Sequence, residues 1–450
     1  MNRLLFRMVQ GVLLLLTGLT AVAHAEWLQP DPSYREAQQD LRYAVRDTIG
    51  HPNDLGRLDS VGVGLLRLAR LDDAARVFNQ IASIDPNDAA SRAGRGKLAL
   101  FAGQPALAES LLSGLEANDP GAASDLFAAR LRQGKYAAAA EMTGLVNQEG
   151  RHELLTRLSE RAPYELTAGP ERATVPFARS YPVVLVGVKL NGQRVLMAVD
   201  TGASDLILDD MAFRHIKAQP VAGQSVVFWS GSHVAVRNAL VQRLEIGGFK
   251  LENCPAGVMK LGRWSLDVNP QSERVAGIIG INLLRRFSAT LDYEKLKLEL
   301  RRPGTAWAPT AATVTRVPFQ LWGENELTVY GTIGQGRKMA MVVQTGVPGC
   351  GVGAPQEVFD EVGIKPGAVS RLAKGAGSFL QGHAWAAVVA PTVTVGSIAR
   401  DKVAGWSGSL DSSELWRHGV RRDALLSNDF FRGRRVTFDW EHHELVFEED

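Results

Sequence analysis

The sequence predicts a multidomain chain: an all-α helical-repeat region followed by an all-β body of two similar lobes. Three observations carry that expectation. From about Arg35 to Glu160, apolar residues recur at helical spacing in a stretch rich in Ala, Leu, Arg and Gln. After Arg161-Ala162-Pro163 the chain turns to short apolar runs, Val183 to Val188, Val195 to Val199 and Leu206 to Leu208, divided by Gly, Asn and Asp as strands are by turns. The β-rich part then repeats its own pattern in order.

Length and composition bound the class. At roughly 100 to 200 residues per domain, 450 residues allow two to four domains. Hydrophobic residues at 45% and charged residues at 22% describe a folded soluble protein rather than a disordered one. Fifty basic against 48 acidic side chains leave +2, so no overall field draws nucleic acid or an acidic membrane surface. Arg3 and Arg7, the apolar run Gly11 to Leu19 and Ala23-His24-Ala25 follow the order of a secretory signal peptide, with cleavage expected after Ala25. The run is shorter than the ~20 residues of a spanning helix, and no later run approaches that length. The expected product is periplasmic or secreted, with no integral membrane segment once residues 1–25 are removed. Cys254 and Cys350 are too few for a disulfide scaffold, although export would permit one bridge as readily as two buried thiols. They lack the spacing of a zinc site, and no metal or cofactor is expected.

The helical region, 26–160, repeats at 34 residues: Ile84-Asp85-Pro86-Asn87-Asp88 is echoed by Ala117-Asn118-Asp119-Pro120, and Ala74, Val77 and Phe78 map onto Ala108, Leu111 and Leu112. Tyr136 to Ala140 begins a third, irregular unit. Over about a hundred residues the region resembles tetratricopeptide repeats. It reads as a docking or spacer module for a protein partner and holds no cluster that suggests chemistry.

Residues 161–179 read as a linker, 180–302 as the first lobe, the turn-forming 303–315 as a second linker, and 316–450 as the second lobe. Aligning Gly187 with Gly331 places Asn191-Gly192 on Gln335-Gly336 and Asp200-Thr201-Gly202 on Gln344-Thr345-Gly346. Further on, Leu244 to Gly248 matches Val393 to Ser397, and Phe287 to Leu298 matches Arg434 to Leu445, with Thr290-Leu291-Asp292 on Thr437-Phe438-Asp439. Duplication with loop insertions explains three ordered blocks better than coincidence. His442-His443 and Arg432, Arg434 and Arg435 read as solvated surface charge.

Met197-Ala198-Val199 before Asp200 and Leu206-Ile207-Leu208 after it are strand-like, and Gly202 permits a tight turn between them, so Asp200 sits on a buried loop. Gly277-Ile278-Ile279-Gly280-Ile281-Asn282-Leu283-Leu284 follows downstream. At these residues the chain resembles retropepsin-like aspartic proteases, especially bacterial members with Asp-Thr-Gly-Ala-Ser. The resemblance covers about 180–302 well and about 316–449 only through the duplication. It implies an all-β two-lobed aspartic-protease fold, a peptide or protein substrate, a catalytic Asp200, and active-site loops locked together by Thr201 and its counterpart Thr345. It also implies a flap over bound peptide. Ser225 to Trp229 and His233 to Arg237, alternating around Ser230-Gly231-Ser232, are the candidate hairpin. Trp229, Ser230 and Gly231 are then substrate-binding, although Trp229 reads equally well as an ordinary half-buried strand aromatic.

Aspartic proteolysis needs two carboxylates sharing a proton. The second lobe offers Gln344, whose amide has nearly the shape of a carboxylate but cannot titrate, and Leu425-Leu426-Ser427 where the first has Ile278-Ile279-Gly280. Three readings follow: Asp200 alone activates water while Gln344 donates a hydrogen bond; two first lobes pair in a homodimer; or the cleft holds peptide without cutting it.

Overall fold

The computed structural model describes residues 33–229, 232–270, 274–309, 311–365, 367, 386–408 and 412–449. The leader expectation falls outside them, as do Ser230 and Gly231. The described residues open with eight α-helices: α1 (Tyr34–Asp47), α2 (Leu55–Arg67), α3 (Leu71–Ile84), α4 (Ala89–Phe101), α5 (Pro105–Leu112), α6 (Pro120–Arg132), α7 (Tyr136–Ala140) and α8 (His152–Glu160). Asp54, Asp88 and Asp119 start α2, α4 and α6, each carboxylate accepting first-turn N–H groups. Each helix packs on the next, and α2, α4 and α6 also stack on one another. The 34-residue echo marks that packing: Ala74, Phe78, Ala108 and Leu112 are fully buried. Phe78 lies between Gly62 and Gly94, where an added Cβ would come within 2.7 and 2.4 Å of its ring. The two echoes differ at the turn, since Pro120 begins α6 whereas α4 starts only at Ala89, after Pro86.

The β-rich body contains β1 (Glu165–Ala168), β2 (Arg172–Arg179), β3 (Leu185–Leu190), β4 (Gln193–Val199), β5 (Leu206–Asp209), β6 (Gln219–Trp229), β7 (Ser232–Ile246), β8 (Phe249–Met259), β9 (Val275–Ile279), β10 (Ser288–Asp292) and β11 (Lys297–Arg301). The second lobe adds β12 (Thr313–Pro318), β13 (Gln320–Trp322), β14 (Glu326–Ile333), β15 (Met339–Val343), β16 (Val352–Ala354), β17 (Ala386–Val395), β18 (Ile398–Ser407), β19 (Ala424–Leu426), β20 (Arg435–Asp439) and β21 (Glu444–Glu449). The lobes repeat one topology. In the first, β4 runs parallel to β9, and β5 pairs antiparallel with β9 and parallel with β8; β15, β19, β16 and β18 do the same in the second.

Between the lobes lies a shared six-strand stretch, β2-β11-β10-β20-β21-β12. Its middle pair sets Thr290 directly against Thr437, with the two hydroxyls 2.7 Å apart. The duplication made these two residues equivalent, so the pseudo-twofold axis passes between them. The same stretch corrects the first linker: 161–179 carries β1, paired to β8, and β2, which occupies the place that β12 holds on the other side. Val175-Pro176-Phe177 in β2 is echoed by Val317-Pro318-Phe319 at the end of β12.

Two further expectations are corrected here. Arg435 bridges Glu448 and Glu299 across the β10–β20 seam, Arg434 pairs with Glu449, and Arg432 pairs with Asp429 and lies over the Tyr181 ring, so this run ties strands together rather than facing water freely. His442 is exposed beside Asp439, but His443 is half-buried against Gly103, where a Cβ would sit 1.6 Å from its ring.

The helical region is no free spacer. Its first helices and the second lobe form one apolar cluster, in which Leu41, Leu65 and Phe101 meet Trp322, Ala340, Trp406, Trp416 and Leu425. Phe101 stacks on Trp322 with centroids 5.1 Å apart. Arg132 of α6 donates to the carbonyls of Leu321, Gly323 and Glu324, and Arg151 forms a two-pronged ion pair with Glu324. A second apolar cluster joins Leu154, Leu155 and Leu158 to Val221 and Leu240 of the first lobe.

Candidate active site

Asp200 and Gln344 end two equivalent strands. The Asp200 N–H donates to Ile279 O at 3.0 Å and the Gln344 N–H to Leu426 O at 2.8 Å, so β9 and β19 anchor the two loops identically. Each tripeptide then crosses to the other lobe. The Thr201 N–H donates to Thr345 Oγ1 at 3.1 Å and the Thr345 N–H to Thr201 Oγ1 at 3.2 Å; in turn the Thr201 hydroxyl donates to Val343 O at 2.7 Å and the Thr345 hydroxyl to Val199 O at 3.0 Å. Both threonines are buried, and the four bonds lie within one chain.

Gln344 therefore faces Asp200 across a single seam. A Cβ placed on Gly202 would lie 2.8 Å from Gln344 Cγ and 3.1 Å from Asp200 Oδ1, so the two side chains border one methyl-sized space. The exchange of Asp for Gln breaks the local symmetry. Asp200 Oδ1 accepts the Gly202 N–H at 2.8 Å and also the Gly346 N–H at 3.0 Å, the donor that belongs to the loop of Gln344. One carboxylate oxygen thus collects a donor from each loop. Burial pushes the Asp200 carboxyl above its ordinary value, with the two glycine N–H groups opposing that rise. Gly346 has no room for a side chain, since its Cβ would lie 2.2 Å from Asp200 Cγ.

The segment after β9 and β19 shows how the second lobe tolerates its drift. Gly280 packs against three carbonyls, with a Cβ there 2.4 to 2.7 Å from the oxygens of Asp205, Ser204 and Ala203. Its counterpart Ser427 carries a side chain, whose oxygen accepts the Val347 N–H at 3.2 Å and donates to Val347 O at 3.0 Å. The hydroxyl ties the Gln344 loop where in the first lobe bare backbone packs. On the Asp200 side, Asp205 Oδ1 accepts from Asn282 Nδ2 at 2.9 Å and Tyr164 Oη at 3.1 Å, fixing the far end of the loop. The sequence marks neither Ser427 nor Tyr164 as a site residue: the alignment shows the Gly-to-Ser exchange without its role, and Tyr164 lies in the stretch that reads as linker.

The hairpin β6–β7 pairs Ser225 with Val236, Phe228 with His233 and Trp229 with Ser232, so Ser232 opens β7 instead of lying in the expected three-residue turn. Val227, Trp229 and Val234 pack on the apolar cluster that contains Ile278 and reaches Ala203, the residue after Gly202. Trp229 is half-buried and meets Trp264 edge to face, with centroids 5.5 Å apart. Near the hairpin's end His233 Nε2 lies 3.5 Å from Oε1 of the buried Glu414 in the second lobe, a contact for which the sequence held no signal. Cys254 and Cys350 are separate buried thiols, and burial pushes both up. Among the described residues, no three His, Cys, Asp or Glu side chains gather where they could hold a metal, and no helix is long and apolar enough to cross a membrane.

Residues 186–283 match a family model described as aspartyl protease, a span that holds Asp200-Thr201-Gly202 and Ile278-Ile279-Gly280. Among solved structures, the aspartic proteinase from Irpex lacteus is similar at 12% identity over 62% of this chain and 97% of that one, with a TM-score of 0.39. A comparison with curated protein sequences finds no match. The matched span is thus similar to an aspartyl-protease region.

Proposed function

We propose that this chain is an exported aspartic-type endopeptidase in which Asp200 works as the single general base and Gln344 takes the place of the second aspartate. The observation that supports this most is the convergence of both loop N–H groups on Asp200 Oδ1, which holds the carboxylate fixed at the seam between the two loops. Oδ2 takes a proton from water as the oxygen attacks the scissile carbonyl carbon, and the Gln344 amide N–H donates to the oxyanion that forms. The protonated Asp200 then returns its proton to the leaving nitrogen as the C–N bond breaks, giving a free acid and a free amine.

A single base works when it is ionised. Because the Asp200 value is raised, cleavage falls as pH drops through that value and reaches a plateau above it, whereas a shared-proton dyad also loses activity on the alkaline side. The intrachain threonine lock favours a site built in one molecule over a homodimer of first lobes, because the second lobe already occupies the position a partner would take. Gln344 also supports a second reading, a pseudoprotease that holds peptide or protein without cutting, since an amide cannot donate and regain a proton as a carboxyl does. The leader-like residues 1–25 favour periplasmic or secreted action.

Mature protein offered a mixed peptide library across about pH 3 to 8 separates the two. Cleavage by wild type that is lost in Asp200→Asn supports the peptidase; peptide binding without cleavage by either protein supports the pseudoprotease.

A further inference from the structure

The hairpin over the Asp200 loop is interrupted at its base. Pairing between β6 and β7 holds at Pro220 with Ala239 and resumes only at Gln224 with Arg237, leaving Val221, Ala222 and Gly223 opposite the single residue Asn238. Such a bulge bends a strand and leaves polar backbone unpaired. Asn238, 2% exposed, fills it: Oδ1 accepts from Ser225 Oγ at 2.6 Å, and Nδ2 donates to Ala222 O at 3.4 Å and to Gly150 O at 2.7 Å. That last acceptor belongs to the Glu149–Arg151 turn of the helical region. The turn and the bulge touch backbone to backbone. A Cβ on Gly150 would sit 1.8 Å from Gln224 O, and one on Gly223, at φ +88, would sit 2.2 Å from Gly150 O. On either side Val221 and Leu240 are buried with Leu154, Leu155 and Leu158 of α8 and its neighbours. The base of the hairpin thus touches the helical region as well as β8 of its own lobe, where Asn238 pairs with Gly257.

We propose that this junction is the hinge of the flap, and that Asn238 and Gly150 are positioning residues through which the helical region sets how Val227, Trp229 and Val234 lie over the Asp200 loop. The inference rests on the peptidase reading for its effect on turnover, but not for its effect on the hairpin itself. Of the three partners of the Asn238 side chain, Gly150 O comes from outside the sheet, and with the backbone packing of Gly150 on Gly223 and Gln224 it ties the angle of the bulge to the helical region. Loosening it leaves Asp200, Gln344 and the threonine lock in place and weakens the closure over bound peptide, so KM rises while kcat holds.

The test uses full mature protein in two variants. Asn238→Asp keeps the size but sets an oxygen against Gly150 O, and Gly150→Ala drives a methyl group into the Gln224 carbonyl. Amide hydrogen exchange is expected to quicken about tenfold in 224–229 and 232–237, the effect of losing one buried hydrogen bond, while β10 and β20 keep their protection. The same change is expected in an Asp200→Asn background, where no cleavage occurs, so a hairpin that loosens in a protein that never cuts separates the hinge from the peptidase reading. For cleaved peptide, KM is expected to rise about tenfold with kcat within about twofold. Unchanged hairpin exchange, exchange that rises equally in β10 and β20, or a loss confined to kcat would each overturn the proposal.

Discussion

Thr345→Val tests whether the two loops are locked as described. The change nearly preserves shape but removes an oxygen that accepts the Thr201 N–H at 3.1 Å and donates to Val199 O at 3.0 Å. Thr345 is 1% exposed, so water does not replace either partner, and one buried donor and one buried acceptor are left unmet. At about 1–3 kcal/mol for each, the cost is about 2–6 kcal/mol. Because the reciprocal bonds of Thr201 remain, the lobes stay joined and the loss appears as lower stability rather than failure to fold. Urea unfolding followed by tryptophan fluorescence measures it. Thr201→Val is expected to cost a similar amount, since the arrangement is pseudo-twofold. Repeating the titration at protein concentrations about tenfold apart should leave the midpoint in place, because the lock lies within one chain. A cost below about 0.5 kcal/mol, or a midpoint that climbs with protein concentration, would refute the reasoning.

Three further perturbations follow from the same geometry. Gly346→Ala puts a methyl group 2.2 Å from Asp200 Cγ, and the displaced carboxylate should lose about 100-fold in kcat, with about 1–3 kcal/mol of stability lost to the overpacking. Burial pushes the Glu299 carboxyl up, but hydrogen bonds and charge from Lys297 and Arg435 outweigh it and bring it from 4.5 to about 2. Its stabilisation is therefore complete above pH 4.5 and lost as pH falls toward 2; acid titration of stability should show a loss of about 2 kcal/mol, allowing for partial solvent screening, that Glu299→Gln lacks. Phe101→Ala empties a fully buried site stacked on Trp322 and should cost about 3–5 kcal/mol, with faster amide exchange in β13 and β14 as well as in α4, because the cluster is shared.

How much of this the sequence disclosed depended on whether the deciding signal was local. Strand alternation on both sides of Asp200, and the glycine that turns the chain, are short-range features, and the loop was legible from them. The duplication carried more, since equating Thr290 with Thr437 named the pair that the structure sets face to face. The strand β2 is hidden in the sequence because Pro176 and the charged Arg172 and Arg179 interrupt its apolar pattern; the Val-Pro-Phe echo with 317–319 is the signal that points to it. The seat of the helical region on the second lobe left no pattern in either segment. Phe101 and Trp322 look like ordinary core aromatics in their own neighbourhoods, and only their meeting tells that the helices complete the core of a lobe far along the chain. Gly150 and Asn238 were equally silent, because a glycine in a turn and an asparagine on a strand acquire meaning only when they touch.

The most direct test is the pH–rate profile of wild type beside Gln344→Asp, with a peptide that the protein cleaves. Wild type should rise through the raised Asp200 value to a flat plateau, and Gln344→Asp, with two carboxyls able to share a proton, should cut faster at acid pH and decline toward neutrality. A bell-shaped profile in wild type, or one that Gln344→Asp leaves unchanged in shape and rate, would contradict the account of a single base facing an amide across one seam.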